Sequence, residues 1–204
     1  MDVLPPRYAH ARAYLESLPS GLDSFPKCRV RAEVYTDVRG RFPDLARDAQ
    51  LPPRVIAYFK GHHDGHWMPE VLGQVVNLLA RDSLPSDRAF LDYTYELNQH
   101  LFQSSILRHL MRLVTPTFVV MGAAQRWSAL HEGSSLTAGK IARKSDGNRT
   151  SGTLQFPPGL FPELFLHALV SAFRAGIDGA RAEHGDVRLV RIERDLAEYE
   201  IEWR

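Results

Sequence analysis

A chain of 204 residues with 44% hydrophobic and 24% charged side chains carries enough apolar material for one folded domain, which argues against extensive disorder. With 25 Lys and Arg against 24 Asp and Glu, the formal net charge is +1, so no basic surplus points to nucleic acid as a partner. The one cysteine, Cys28, excludes an intrachain disulfide and a multi-cysteine zinc site.

No apolar run approaches the ~20 residues that cross a bilayer. The start, Met1-Asp2-Val3-Leu4-Pro5-Pro6, has neither the basic nor the apolar region of a signal peptide. The expectation is a cytoplasmic protein with no membrane partner.

In chain order, a first helix is expected over 6–18, ended by Pro19-Ser20-Gly21. Val30, Val34 and Val38 share a helical face and predict a second helix over 26–41. Their β-branched side chains leave a strand open there. A short helix follows over 52–59. Over 69–81, Leu72, Val75, Val76 and Leu79 form one stripe, and over 87–102 Phe90, Tyr93, Leu97 and Leu101 form another. Ser104 caps a helix carrying Leu107, Leu110, Met111 and Val114. Thr115-Pro116 starts one more, with Val119, Gly122, Ala123, Arg126, Trp127 and Leu130 on one side. The small residues there permit close helix approach, and Gly133 ends the segment.

Beyond residue 133 the periodicity changes. Segments 136–142 and 150–156 flank Ser145-Asp146-Gly147-Asn148, an Asp-Gly hairpin signal. Pro162 opens a helix with Phe161, Leu164, Phe165, Ala168, Leu169, Ala172, Phe173 and Gly176 on its apolar face. A strand over 187–192 precedes the strict alternation of residues 198–203. That alternation predicts Tyr199, Ile201 and Trp203 on the helix side, with Glu198, Glu200 and Glu202 outward. The fold class expected is α+β: one domain, 1–204, with a helical bundle over 1–133. A β-β-α-β-β unit with a four-stranded antiparallel sheet follows over 134–204.

Five stretches carry a resemblance: residues 21–28 (GLDSFPKC), 67–71 (WMPEV), 107–111 (LRHLM), 126–133 (RWSALHEG) and 154–173. Together they resemble an uncharacterised, mostly myxobacterial family of proteins of similar length. The order of elements is also similar to haem–nitric-oxide-binding and four-vinyl-reductase-type small-molecule-binding domains. That likeness implies a ligand held between a helical part and a β-β-α-β-β part. The Tyr-x-Ser-x-Arg motif that holds haem propionates in the former is absent from the sequence, and one cysteine cannot build the metal cluster of some of the latter. No haem is expected, and the sequence names no cofactor.

Two clusters stand out. His62, His63, Asp64 and His66 bring imidazoles and a carboxylate close together, and His62, Asp64 and His66 are the candidate metal ligands. Gly61 and Gly65 oppose a helix there, and a fourth ligand such as Glu70 or Asp48 has to come from elsewhere. The plainer reading is a loop between helices. Tyr93, Tyr95, His100, His109, Arg112, Trp127 and His131 are the candidate pocket residues, because a ligand pocket combines apolar walls with a few polar groups. The plainer reading of these is core packing with satisfied polar tips. No nucleophile elbow or glycine-rich phosphate loop is present, so no catalytic residue is assigned.

The function expected is a non-enzymatic regulatory or sensory domain. Its partner is a small apolar ligand or a protein, with a homodimer among the expected states. The alternatives are a metal-dependent enzyme built on the 62–66 loop and a self-assembly module.

Overall fold

The computed structural model describes residues 4–62, 66–103, 115–145, 147–180 and 182–204. It is mixed α and β, with two antiparallel sheets of three and five strands. Packing divides the chain into two compact units that cut across the compositional change near residue 133. Unit 1 takes the chain up to Phe90, then Leu130–Gly133 and Gly159–Pro162. Unit 2 takes Leu91–Ala129, Ser134–Pro158 and Glu163–Arg204.

Unit 1 is built on α1 (Ala9–Ser17), β1 (Arg29–Arg31), α2 (Thr36–Arg41), α3 (Pro53–Phe59), β2 (Trp67–Pro69), α4 (Glu70–Asp82) and β3 (His131–Glu132). The expected stripe of Leu72, Val75, Val76 and Leu79 is buried, and so are Val71 and Leu78, which makes α4 the core helix of this unit. It approaches β1 and the turn after it closely at Gly73, where a methyl group would sit 3.0 Å from Val30 and 2.5 Å from the Tyr35 ring. The far end of α4 serves α1. The Asp82 carboxylate accepts the backbone N–H groups of His10 and Ala11, both at 3.1 Å, and so satisfies two helix-start donors from 71 residues away or more.

The helix expected over 26–41 does not form as one element. Residues 29–31 are the central strand β1, Ala32–Tyr35 is a 3₁₀ turn, and only Thr36–Arg41 is α-helical. Val30 pairs with Met68 on one side and His131 on the other, in the sheet order β2-β1-β3. Two ladders satisfy this backbone better than a helix rich in β-branched residues would.

Unit 2 contains α5 (Asp87–Gln103) from Leu91 onward, α6 (Pro116–Leu130), β4 (Ser135–Ala138), β5 (Ala142–Lys144), β6 (Gly147–Gln155), α7 (Glu163–Gly179), β7 (Gly185–Ile192) and β8 (Leu196–Trp203). The helix expected after Ser104 lies outside the described residues. The C-terminal sheet has five strands where four were expected. Its order is β4-β6-β8-β7, and β5 also pairs with β6. The expected strand 136–142 is interrupted at Gly139, whose N–H donates to the Ser151 carbonyl and whose carbonyl accepts the Thr150 hydroxyl. These bonds keep the segment against β6 while breaking its ladder into β4 and β5.

Along β8 the alternation is as expected. Ala197, Tyr199, Ile201 and Trp203 are buried, and Glu198, Glu200 and Glu202 lie on the other face. Tyr199 donates to the Leu166 carbonyl of α7 at 3.1 Å, and its ring meets Phe173 edge-on at 5.2 Å. On the outer face Glu200 pairs with Arg149 and Arg188, a cross-strand charge ladder between β6, β8 and β7. No described helix is long and apolar enough to cross a membrane.

Candidate functional site

An apolar concavity lies within unit 2. Its first wall is α6. The Thr115 carbonyl accepts the N–H groups of Phe118 and Val119, so the helix starts where Thr115-Pro116 predicts. Val119, Val120, Ala123, Ala124 and Trp127 then fall on one face at helical spacing and line the cavity, while Phe118 and Met121 on the other face are exposed. The Trp127 indole N–H donates to Ser134 Oγ at 3.1 Å, so its polar edge is satisfied and its ring serves as apolar wall.

The second wall is α7, through Ala172, Phe173, Gly176 and Ile177. The third is the sheet. Register sets Ala138 of β4 opposite Gly152 of β6, and Gly152 opposite Tyr199 of β8. Two small residues side by side leave a hollow in the inner face of the sheet, with Leu136 and Ile201 beside it. The volume of this half-open hollow is about 180 Å³. Small side chains on all three walls create this space, which larger residues would fill.

Among the residues expected to form a pocket, Trp127 lines this cavity. Tyr95 belongs to the same unit but donates to Asp178 at 2.6 Å and accepts from Gln99 at 2.7 Å. Burial first, and that bond to Asp178 second, hold its phenol above the ordinary value. Tyr93 is half-buried and His100 is exposed. His109 and Arg112 lie outside the described residues. His131 sits in unit 1. Among the residues that sequence reasoning missed are Asn98, Leu136, Ala138, Gly152 and Ile177. Ala123 was legible as a small residue expected to permit close helix approach, and Ala172 and Gly176 as part of the apolar face of the helix opened by Pro162. The structure opens a cavity beside them.

His131 belongs to a buried polar network. Its Nδ1 lies 2.8 Å from Glu70 Oε2, with side-chain exposures of 5% and 0%. Gln74 Nε2 donates to Glu70 Oε1 at 2.9 Å and to the Tyr35 hydroxyl at 3.1 Å. Gln74 Oε1 is buried without a hydrogen-bond partner among the described residues. Nearby, Tyr14 donates to the Leu160 carbonyl and Tyr58 to that of Ala32. Burial, reinforced by the Glu70 charge, raises the phenols of Tyr14 and Tyr35 and the Cys28 thiol above their ordinary values. A raised thiol pKa suits a buried structural cysteine rather than a nucleophile.

The histidine loop is described at its two ends. His62 and His66 are exposed, and the His66 carbonyl accepts from Ala32 N–H at 2.9 Å. Asp64 lies outside the described residues. Both suggested fourth ligands are engaged elsewhere: Glu70 by His131 and Gln74, and Asp48 by Arg7 and Tyr8. Among the described residues no group of three or more His, Cys, Asp or Glu is placed to hold a metal ion. Comparison with known proteins gives no matching family model, no matching curated sequence and no matching solved structure.

Proposed function

We propose that the protein is a non-enzymatic regulatory or sensory domain that binds a small molecule with an apolar body in the cavity between α6, α7 and the five-stranded sheet. The observation that carries this is the cavity itself. About 180 Å³ is bounded by an indole, a phenyl ring and aliphatic side chains, with few polar groups. Such a site suits a compact apolar guest. An apolar cavity of about 150 Å³ accepts a benzene-sized molecule.

The test is titration with toluene, followed by the tryptophan indole N–H resonances, in the parent and in Ala172→Phe. Saturable shifts of the Trp127 signal in the parent, lost when the added ring occupies the space, support the reading. Absence of binding in the parent refutes it.

Self-assembly is a second reading with its own observation. Strand β7 is an edge of the sheet, and Val190 and Ile192 on it are 55% and 42% exposed. Exposed apolar residues on an open edge favour strand pairing with another copy. Sedimentation of the parent beside Val190→Lys measures it. A dimer lost in the variant supports it, and a monomer in both rejects it.

A further inference from the structure

The charge at the cavity says more about its ligand than the volume does. Arg126 follows Val119 and Ala123 along one stripe of α6, at i+7 and i+3, and lines the cavity with them. Arg126 lines the cavity and is exposed while its neighbour Trp127 is buried, so Arg126 stands at the open side of the apolar space. No aspartate or glutamate is among the described lining residues. No described carboxylate pairs with Arg126. Some other surface arginines are paired, as in Arg29–Glu132, Arg54–Asp23 and Arg188–Glu200.

A second donor faces the same space. Asn98 lines the cavity and donates one Nδ2 hydrogen to the Thr94 carbonyl at 2.8 Å, which leaves its other hydrogen available.

We infer that the ligand is a small monocarboxylate, with a ring or short chain inside the cavity and its carboxylate on Arg126. The inference rests on the cavity being a ligand site, as proposed above. A guanidinium offers paired N–H donors that match the two oxygens of a carboxylate, and charge-assisted bonds of this kind are stronger than neutral ones. An anion is the complement to a lining with a cation and an amide donor but no acid. The apolar part is limited by size. A benzene-sized ring with a one- or two-carbon arm fits about 180 Å³, whereas a long acyl chain does not.

Phenylacetate and its neutral isostere phenylacetamide separate charge from shape. Calorimetric titration of the parent is expected to show phenylacetate binding about tenfold or more tightly than phenylacetamide, with the difference shrinking as salt is raised. Arg126→Gln is expected to lose about tenfold for phenylacetate and less than about twofold for phenylacetamide, and Arg126→Lys to fall between. Arg126 is exposed on a helix, so these variants keep the fold, which far-UV circular dichroism checks. Equal affinity for the two compounds in the parent overturns the inference. So does an Arg126→Gln variant that binds phenylacetate as the parent does. If toluene binds and neither polar compound does, the monocarboxylate is rejected while the cavity stands as an apolar site. If none of the three binds, both readings fall.

Discussion

Replacing His131 by alanine removes one of the two donors that reach the Glu70 carboxylate from the described residues. That carboxylate is fully buried, held by His131 Nδ1 at 2.8 Å and Gln74 Nε2 at 2.9 Å. Breaking a buried pair by deleting one member costs about 3–5 kcal/mol, because the remaining charge keeps its desolvation penalty. Domains of ordinary stability hold about 5–15 kcal/mol in total, so the loss is a large share. Urea unfolding at neutral pH, followed by far-UV circular dichroism, measures it. The companion is Glu70→Leu, alone and combined with His131→Ala. The double variant is expected to lose less than the sum of the two singles by about 1.5 kcal/mol or more, since the second deletion removes a group already left unpaired. A His131→Ala cost below about 1 kcal/mol, or strict additivity in the double variant, would refute the argument that this pair is a coupled element of the core.

Three further outcomes are expected. Gly133 holds a φ of +80°, and a methyl group there would lie 2.6 Å from Cys28 Sγ and 3.0 Å from the Lys27 carbonyl. Gly133→Ala should therefore lower stability by about 2 kcal/mol or more in the same urea assay. Gly152 has a φ outside the left-handed region, and a methyl group there meets Tyr199 and Ile201 only at ordinary contact distance. Gly152→Ala should thus raise the melting temperature, by about 0.4–1 kcal/mol of stability, while weakening toluene binding. Burial pushes the Tyr58 phenol up to about 12, above the value it has when unfolded. The folded state therefore holds that proton more tightly. The stability this contributes is fully present below about pH 10 and is lost as pH rises through 12, so the urea midpoint should fall over that window and Tyr58→Phe should flatten the fall.

What the sequence made legible was local. The stripe of α4, the start of α6 at Thr115-Pro116 and the alternation of β8 each rest on residues within a few turns or pleats of one another, and each is found as expected. Of the three-stranded sheet only a strand within 26–41 was left open from the sequence, because its strands are two or three residues long and come from 29–31, 67–69 and 131–132. No period-two signal fits in so short a segment. The cavity was half legible. The face of α6 that lines it was read from spacing, but the hollow depends on Ala138 meeting Gly152 across a ladder, and register is a tertiary fact. His131 was chosen by residue type as a pocket group. Its true neighbour, Glu70, lies 61 residues earlier, and nothing local announces the pair.

The interleaving of the two units bears on how the protein is made. Synthesis proceeds from the N-terminus, and when Phe90 has emerged from the ribosome most of unit 1 has been delivered. That nascent segment still lacks β3, so β1 has a bare edge where His131 and Glu132 belong, and Glu70 has no imidazole beside it. The Leu160 carbonyl that receives the Tyr14 hydroxyl arrives later still. Unit 1 therefore waits, incompletely closed, through the synthesis of about 70 further residues, and a fragment ending near residue 90 should be recovered as an aggregation-prone chain rather than as an independently folded piece.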